Sequence, residues 1–362
     1  MAAGGPSDRF AAWPRPAALA ALALLLALVV ASALVPITRG QGRDVTPSLI
    51  SAGTAPEKRR DDDLQVYDHV IARLRHGESY YPAVAAEHRA IGFPLTPGFA
   101  VRLPTLAYVE AAIGPAGEYI AAVLLLAAVL LAWWRRLGSE PGGAEHRLLA
   151  MALLTIGAVL VLNAYFFRLH ELWAGMLLAL SFGLHRPGKW LPAWLAAALA
   201  LAIRELALPF VLLMAAMALW RRDWRGGAAW SALAALFLVG LALHLNAVAA
   251  LVRPGDLVSA SWLELRGLSG ALSNLTLSSN LRYLPHWLAG PLVVLMVFGW
   301  ASWRSPAGAF GALLFTGYAV AFAVAGRDEN YYWGMLVTPC LAMGLAFLPQ
   351  GARSLWRAAV AR

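Results

Sequence analysis

A single cysteine, Cys340, stands among 362 residues. It leaves no partner for a disulfide, a zinc knuckle or paired-thiol redox chemistry, and in a late apolar block it reads as packing. Charge is scarce as well. Asp, Glu, Lys and Arg make up 14% of the chain, where soluble globular domains carry about 25%, so a soluble enzyme is excluded. Neither GxxxxGK[ST] nor GxGxxG occurs, which removes the usual phosphate-binding loops. The eight histidines show no HxxH or HExxH spacing, so no transition-metal site is expected. Internal repeats and low-complexity linkers are also missing, and residues 1–362 read as one domain.

What the chain has is apolar sequence: 60% hydrophobic residues and a mean hydropathy of +0.63. These residues come in blocks, which is the signature of membrane spans. The first block, 16–36, is too long for a signal-peptide core and reads as a retained span. Further spans are predicted near 115–134, 148–165, 171–185, 191–204, 205–220, 228–250, 286–303, 308–326 and 331–349. The expected fold is therefore an all-α polytopic bundle of about ten spans. It has a large first outer loop, 37–114, and a second, 251–285.

The net charge of +9 would suggest nucleic acid in a soluble protein. Here the cations are spread between apolar blocks, so the positive-inside rule accounts for them better, and no nucleic-acid partner is expected. Short segments carrying Arg135, Arg136, Arg147, Arg186, Lys189 and Arg221 fall inside if both termini are cytoplasmic. The acids distribute differently: only Asp8, Glu140, Glu145 and Asp223 fall inside. Acids contribute little to topology, so their outward bias points to an outer face that uses carboxylates.

In the first outer loop, Arg59-Arg60-Asp61-Asp62-Asp63 precedes Leu64, Tyr67, Ile71 and Leu74, whose 3-4-3 spacing predicts an amphipathic helix ending at Gly77. Acids before a helix serve as caps. Three in a row exceed that need, so capping and a reactive carboxylate both stay open. Phe93-Pro94-Leu-Thr-Pro97-Gly-Phe-Ala-Val-Arg102-Leu-Pro104 carries too many prolines for a spanning helix. It suits a re-entrant or surface segment beside a polar cavity.

Asp63-Leu64-x-Val66-Tyr67, the helix closing at Gly77 before Tyr80-Tyr81, and Phe93-Pro94 with Pro97 together resemble the first periplasmic loop of the glycosyltransferase C superfamily. The likeness is greatest to glycosyltransferase family 87, the polyprenol-phosphate-mannose-dependent mannosyltransferases. The resemblance implies a polyprenyl-phosphate sugar donor, a lipid or glycan acceptor, and an active site on the outer face of a bacterial inner membrane. It implies Asp63 as catalytic base, with Asp62 the next candidate. The sequence departs from the family where Phe93-Pro94-Leu-Thr-Pro97 replaces Tyr-Pro-Pro and Arg204-Glu205 replaces Lys-Pro.

Polar clusters recur at four expected outer helix ends: Arg168-Leu-His170-Glu171, Arg204-Glu205, Arg282-Tyr283-Leu-Pro-His286 and Arg327-Asp328-Glu329-Asn330-Tyr331-Tyr332. Charges at membrane depth cost about 2.5–3.5 kcal/mol each and usually pair or face a cavity. Taken singly they read as ion pairs or snorkelling side chains. Together they can wall one pocket. Arg327 and Arg204 are the candidates for donor phosphate. His170, Glu171, Tyr67, Arg282, Tyr331 and Tyr332 are the candidates for sugar, acceptor or prenyl contacts. No cofactor is expected, and a divalent cation at Asp61–Asp63 is left open. Trp262, Leu263, Leu265, Leu268, Leu272, Leu275 and Leu277 suggest a helix on the membrane surface over the pocket. A transporter or flippase of a lipid-linked saccharide is the alternative reading.

Overall fold

The computed structural model describes residues 9–38 and 62–361. Among them the chain is helical, with three isolated bridges and no strand. The α-helices are α1 (Arg15–Leu34), α2 (Asp62–Arg75), α3 (Tyr80–Ile91), α4 (Thr105–Ser139), α5 (Arg147–Ala158), α6 (His170–Leu184) and α7 (Leu191–Ile203). They continue with α8 (Leu208–Trp220), α9 (Trp224–Ala249), α10 (Gly267–Leu277), α11 (His286–Ser302), α12 (Pro306–Val324), α13 (Thr338–Leu341) and α14 (Leu348–Val360).

Exposed apolar side chains show what surrounds the bundle. Leu236, Leu238, Val239 and Leu243 all face outward on α9, and Leu24, Leu124 and Leu148 do the same on α1, α4 and α5. Apolar surface on this scale is a membrane surface, and the protein is a multi-pass, mostly helical integral membrane protein.

The sequence predicts ten spans; five helical stretches among the described residues are long and apolar enough to cross a bilayer. They are Arg15–Leu34, Gly98–Ser139, Ala144–Leu162, Trp224–Ala249 and Pro306–Val324. Four further apolar helices, His170–Leu184, Leu191–Ile203, Glu205–Trp220 and His286–Ser302, are shorter than the roughly 20 residues that a 30 Å core requires. The tenth predicted span, 331–349, is broken into the 3-10 turns Asp328–Leu336 and Ala342–Ala346 around α13. Pro339 removes one backbone donor there, and Gly334 and Gly344 are pressed against the backbones of Asn274 and Met296. Close packing on neighbouring helices replaces a regular helix.

Small residues set these approaches. A Cβ at Gly299 would strike the Gly344 carbonyl, one at Gly175 the Met335 carbonyl, and one at Gly290 the Ser32 carbonyl. Without a hydrophobic drive between helices in lipid, such backbone-to-backbone contact supplies the packing. Helix α6 is buried on nearly every side, against α4, α7 and the turn Asp328–Leu336. Its first residues, His170 and Glu171, are thereby fixed in the interior of one end of the bundle.

The amphipathic helix expected in the first outer loop is α2, and Gly77 follows it with φ +86°. Its buried face is wider than the predicted stripe. Leu64 joins the main core, whereas Val66, Val70, Ile71 and Leu74 pack with Tyr80 and Val84 of α3 and with Leu95 and Val101. The proline-rich segment forms only the short turn Gly98–Ala100. It is held by His244 of α9, whose Nε2 donates to Val101 O (3.1 Å) while Nδ1 meets the Tyr81 hydroxyl (3.2 Å).

Helix α4 breaks at Gly114 (φ 66°, ψ 178°), immediately before Pro115. Two acids flank the break: Glu110 before it and Glu118 after it, each 2% exposed.

The second outer loop differs from its expectation. Residues 250–266 are irregular and thread between the proline-rich segment (Leu95 N to Leu257 O, 3.2 Å; Ser259 N to Thr96 O, 2.7 Å) and the end of α12 (Gly326 N to Trp262 O, 2.7 Å). The helix that follows, α10, does not lie on the surface. Gly270 through Leu277 are all buried against α12 and Asp328–Leu336. Ser273 and Asn274 on it bond backbone of neighbouring segments, Thr38 N and Asn330 O, which a surface helix would not need. Cys340 is buried, as packing requires.

Candidate functional site

Two of the four polar clusters, Arg204-Glu205 and the one from Arg327 to Tyr332, meet residues of the two outer loops at one end of the bundle around a cavity of about 450 Å³. Its walls come from α2 (Val66, Tyr67), α3 (His88), the proline-rich segment (Phe93, Pro94, Phe99, Arg102), the α7–α8 junction (Arg204, Glu205), the irregular loop (Ser259, Trp262) and the turn after α12 (Arg327, Glu329, Asn330, Tyr332, Trp333). This mixture of apolar walls with a few convergent charges is the usual make-up of a ligand site.

Two arginines form its floor. Arg102 donates from Nε to the Tyr67 hydroxyl and from Nη2 to the Tyr332 hydroxyl, both at 3.1 Å. It also stands 3.7 Å from Glu171. Arg204 places Nε 2.7 Å from the same Glu171 carboxylate and pairs through Nη1 with Glu205. Arg204 and Glu171 are each 1% exposed. A single acid therefore compensates two guanidinium groups from below, and Glu205 and the cavity share the remainder. Arg204 also lies 6.0 Å from the Trp333 ring centroid.

Arg327 sits at the rim. Its Nε is 2.7 Å from Glu329, and its guanidinium lies 5.8 Å from the Trp262 ring. The backbone beneath is held by Asn330, which accepts from Arg327 N (3.1 Å). Asn274 of α10 donates to Asn330 O (3.3 Å). Arg266 pairs with Asp328 at 2.7 Å and donates to Asn274 at 3.0 Å, tying the irregular loop, α10 and this turn into one unit.

A second cluster adjoins the first. Arg168 donates to Asp68 and Glu118, both at 2.8 Å, and lies 3.1 Å from Glu110. Consecutive residues of α2, Tyr67 and Asp68, thus contact two different arginines, Arg102 of the proline-rich segment and Arg168 just before α6. His170 packs between the clusters with its ring 5.3 Å from that of Tyr67.

Of the groups outside the spanning segments whose titration is shifted, His88 and Asp256 bear on the loops around the cavity. Burial holds the His88 imidazole below its ordinary range despite its bond to Pro94 O (2.9 Å), so it is neutral where it lines the cavity. The Arg89 guanidinium, then the Arg253 amide, draw Asp256 down to about 2.

Of the residues expected at a site, the structure brings together Tyr67, Arg204, Arg327 and Tyr332 on the cavity wall. Glu171 lies behind Arg204, His170 behind Tyr67, and Tyr331 packs edge-on against Tyr332 at 6.0 Å. Arg282 is placed elsewhere, over the Phe166 and Tyr283 rings at 5.4 and 5.6 Å. Asp62 and Asp63 open α2, one turn before Tyr67, and Asp61 lies outside the described residues. The sequence assigns no role to Arg102 or His88, and Glu205 enters only within the Arg204-Glu205 cluster. A lone arginine inside a proline-broken stretch beside an expected cavity was the available signal for Arg102. Among the described residues no group of three or more His, Cys, Asp or Glu is arranged to hold a metal ion. No family model, curated protein or solved structure matches the chain.

Proposed function

We propose that the protein is an integral-membrane inverting glycosyltransferase that moves a hexose, mannose foremost, from a polyprenyl-phosphate carrier to a lipid or glycan acceptor. The observation that carries this reading is the cavity at one end of an apolar bundle, with Arg102, Arg204 and Arg327 converging on it among Tyr67, Trp262, Tyr332 and Trp333. The first-loop resemblance to the glycosyltransferase C superfamily supports it independently.

In this reading the arginines neutralise the phosphate that departs with the lipid, since guanidinium forks match phosphate oxygens bidentately. The aromatic walls stack on sugar faces. Asp63 takes the proton of the acceptor hydroxyl as that oxygen attacks the anomeric carbon, and the carbon–phosphate-oxygen bond breaks with its electrons leaving on the phosphate. One displacement inverts the anomeric centre. Position 63 lies four residues before Tyr67 in α2, and the helical repeat puts the two positions on one face. Asp62 is the next candidate base. The site faces outward from a bacterial inner membrane, with both termini cytoplasmic.

The test is sugar transfer from radiolabelled polyprenyl-phosphate-mannose and polyprenyl-phosphate-glucose by protein in lipid discs, with a lipid extract as acceptor. Wild-type transfer that collapses in Asp63→Asn with donor still bound supports the reading; equal transfer by both proteins removes Asp63 from it.

The broken helix α4, with Glu110 and Glu118 buried beside Arg168, favours a second reading. Interrupted helices with buried ionisable groups recur in transporters, and a flippase of a lipid-linked saccharide would use them. Movement of labelled carrier between leaflets without transfer would select it.

A further inference from the structure

A second cavity, of about 200 Å³, lies at the opposite end of the bundle. Its walls are the end of α6 and the turn after it (Phe182, His185, Pro187, Gly188), the end of α8 (Met214, Met217, Arg221), Asp223, and Arg136 of α4. It shares no residue with the polar cavity described above.

Its charges are unevenly committed. Arg136 is only 3% exposed. It is fully committed: Nε donates to Glu140 (3.1 Å), Nη2 lies 3.1 Å from the same carboxylate, Nη1 donates to Phe182 O, and the guanidinium lies 4.9 Å from the Phe182 ring. Arg186 donates to Gly183 O (2.9 Å) and His185 O (2.8 Å). The bare carbonyls at the end of α6, which would repel an anion, are thus covered by two cations. Asp223 caps α9 by accepting from Gly226 N at 2.9 Å. Arg221 remains: it lines the cavity and pairs with no carboxylate among the described residues. The next residue, Arg222, has φ +61°, the only positive φ at a non-glycine position among the described residues. The chain thus holds an arginine at a helix end where glycine is preferred.

The turn spells Gly183-Leu-His-Arg-Pro-Gly188-Lys189. It follows a helix rather than a strand, and Trp190 stands where a nucleotide-binding loop has Ser or Thr, so it is no nucleotide cradle. The opposite wall is apolar, from Met214, Met217, Ala218 and Phe310. A ligand suited to both walls carries an anionic group next to hydrocarbon. Basic pockets between helices at a membrane surface have that character.

We propose that this second cavity binds a phosphate ester, seated on Arg221 beside the apolar wall, with the phosphodiester headgroup of an anionic phospholipid as its fitting source and a free phosphate compound as the other. The Arg221 guanidinium donates to phosphate oxygens, and the glycerol and first methylenes lie on Met214 and Met217.

The test is native mass spectrometry of the full chain released from detergent. The protein is titrated with phosphatidylglycerol, with diacylglycerol as the neutral control, and with glycerol 3-phosphate as the free phosphate. Arg221→Ala is the variant, since its exposed side chain is not needed for folding, and an unchanged melting temperature verifies that. Arg353→Ala, an exposed cation on α14, controls for general attraction to a charged membrane. The expected result is phosphatidylglycerol retained over diacylglycerol, about tenfold weaker in Arg221→Ala and unchanged in Arg353→Ala. Competition by glycerol 3-phosphate with the same dependence on Arg221 would keep the phosphate site and assign it to the free compound. Equal retention of charged and neutral lipid without binding of glycerol 3-phosphate, or equal losses in the two variants, would overturn the proposal.

Discussion

Replacing Glu171 with Gln removes a negative charge shared by two guanidinium groups, the buried Arg204 and the partly buried Arg102. Its carboxylate lies 2.7 Å from Arg204 and 3.7 Å from Arg102, and with Arg204 it is shielded from water. Breaking a buried pair by deleting one partner costs about 3–5 kcal/mol, mostly because the surviving charge stays buried without its counter-ion. Here two cations survive. Arg204 keeps Glu205 and Arg102 keeps only hydroxyl acceptors, so Glu171→Gln belongs at the upper end of that range. Deleting the pair together behaves differently, because apolar replacement of a whole buried pair is often neutral. The double variant Glu171→Leu/Arg204→Met removes one of the two stranded cations but leaves Arg102 without this carboxylate and Glu205 without Arg204, so it should regain only part of the loss, a coupling that a double-mutant cycle isolates. Thermal unfolding of purified protein in detergent reads both. Glu78→Gln is the control: Glu78 binds Arg73 at 2.7 Å on an exposed surface, and its loss should leave the melting temperature in place. A Glu171→Gln protein melting with the wild type would refute the assignment of this carboxylate as the floor's counter-charge.

Gly299→Ala places a methyl group against the Gly344 carbonyl and should destabilise by about 1–3 kcal/mol through overpacking; Gly240→Ala, where nothing lies within 4 Å, should not, and parallel melts decide it. Arg168→Gln strips Asp68, Glu110 and Glu118 of their shared partner. Hydrogen exchange should then rise across α2 while α6 through α9 stay protected. Asp256 has its carboxyl drawn down to about 2 from an ordinary 3.8, so it favours the folded loop above pH 3.8 and loses that contribution as pH falls through 2. Proteolysis of residues 250–266 should accordingly increase between pH 4 and pH 2 in the wild type, and Asp256→Asn should be equally sensitive at both.

The parts of this architecture that follow local rules were readable from the sequence. The 3-4-3 stripe from Leu64 to Leu74 became α2, Gly77 ended it in the left-handed region, and three prolines kept 93–104 irregular. Each depends on spacing or on a backbone constraint visible in the string. What depends on partners far along the chain was not readable. Leu268, Leu272 and Leu275 look like the apolar face of a surface helix, yet α10 is buried, with Ser273 accepting from Thr38 N and Asn274 donating to Asn330 O far along the chain. The broken stretch 331–349 has the hydropathy of a span, but its path is set by glycine contacts with α10 and α11. Arg102 shows the same limit at the site. Its role comes from Tyr67, Tyr332 and Glu171, and the last two are remote in sequence. Arg282 looked equivalent to Arg204 and Arg327 by charge and by helix end, and only the packing of Phe166 separates it from them.

A helix interrupted by Gly114 and Pro115 would ordinarily act as a joint, free to swing its first two turns against the rest. Here the same guanidinium grips an acid from each side of the interruption, Glu110 above and Glu118 below. Bending at Gly114 would pull one of them off Arg168 inside a low-dielectric interior. The interruption is an elbow set in a splint. It redirects the chain from the membrane into the cavity wall at a constant angle, and Arg102, three residues ahead of the helix, inherits its position from that angle.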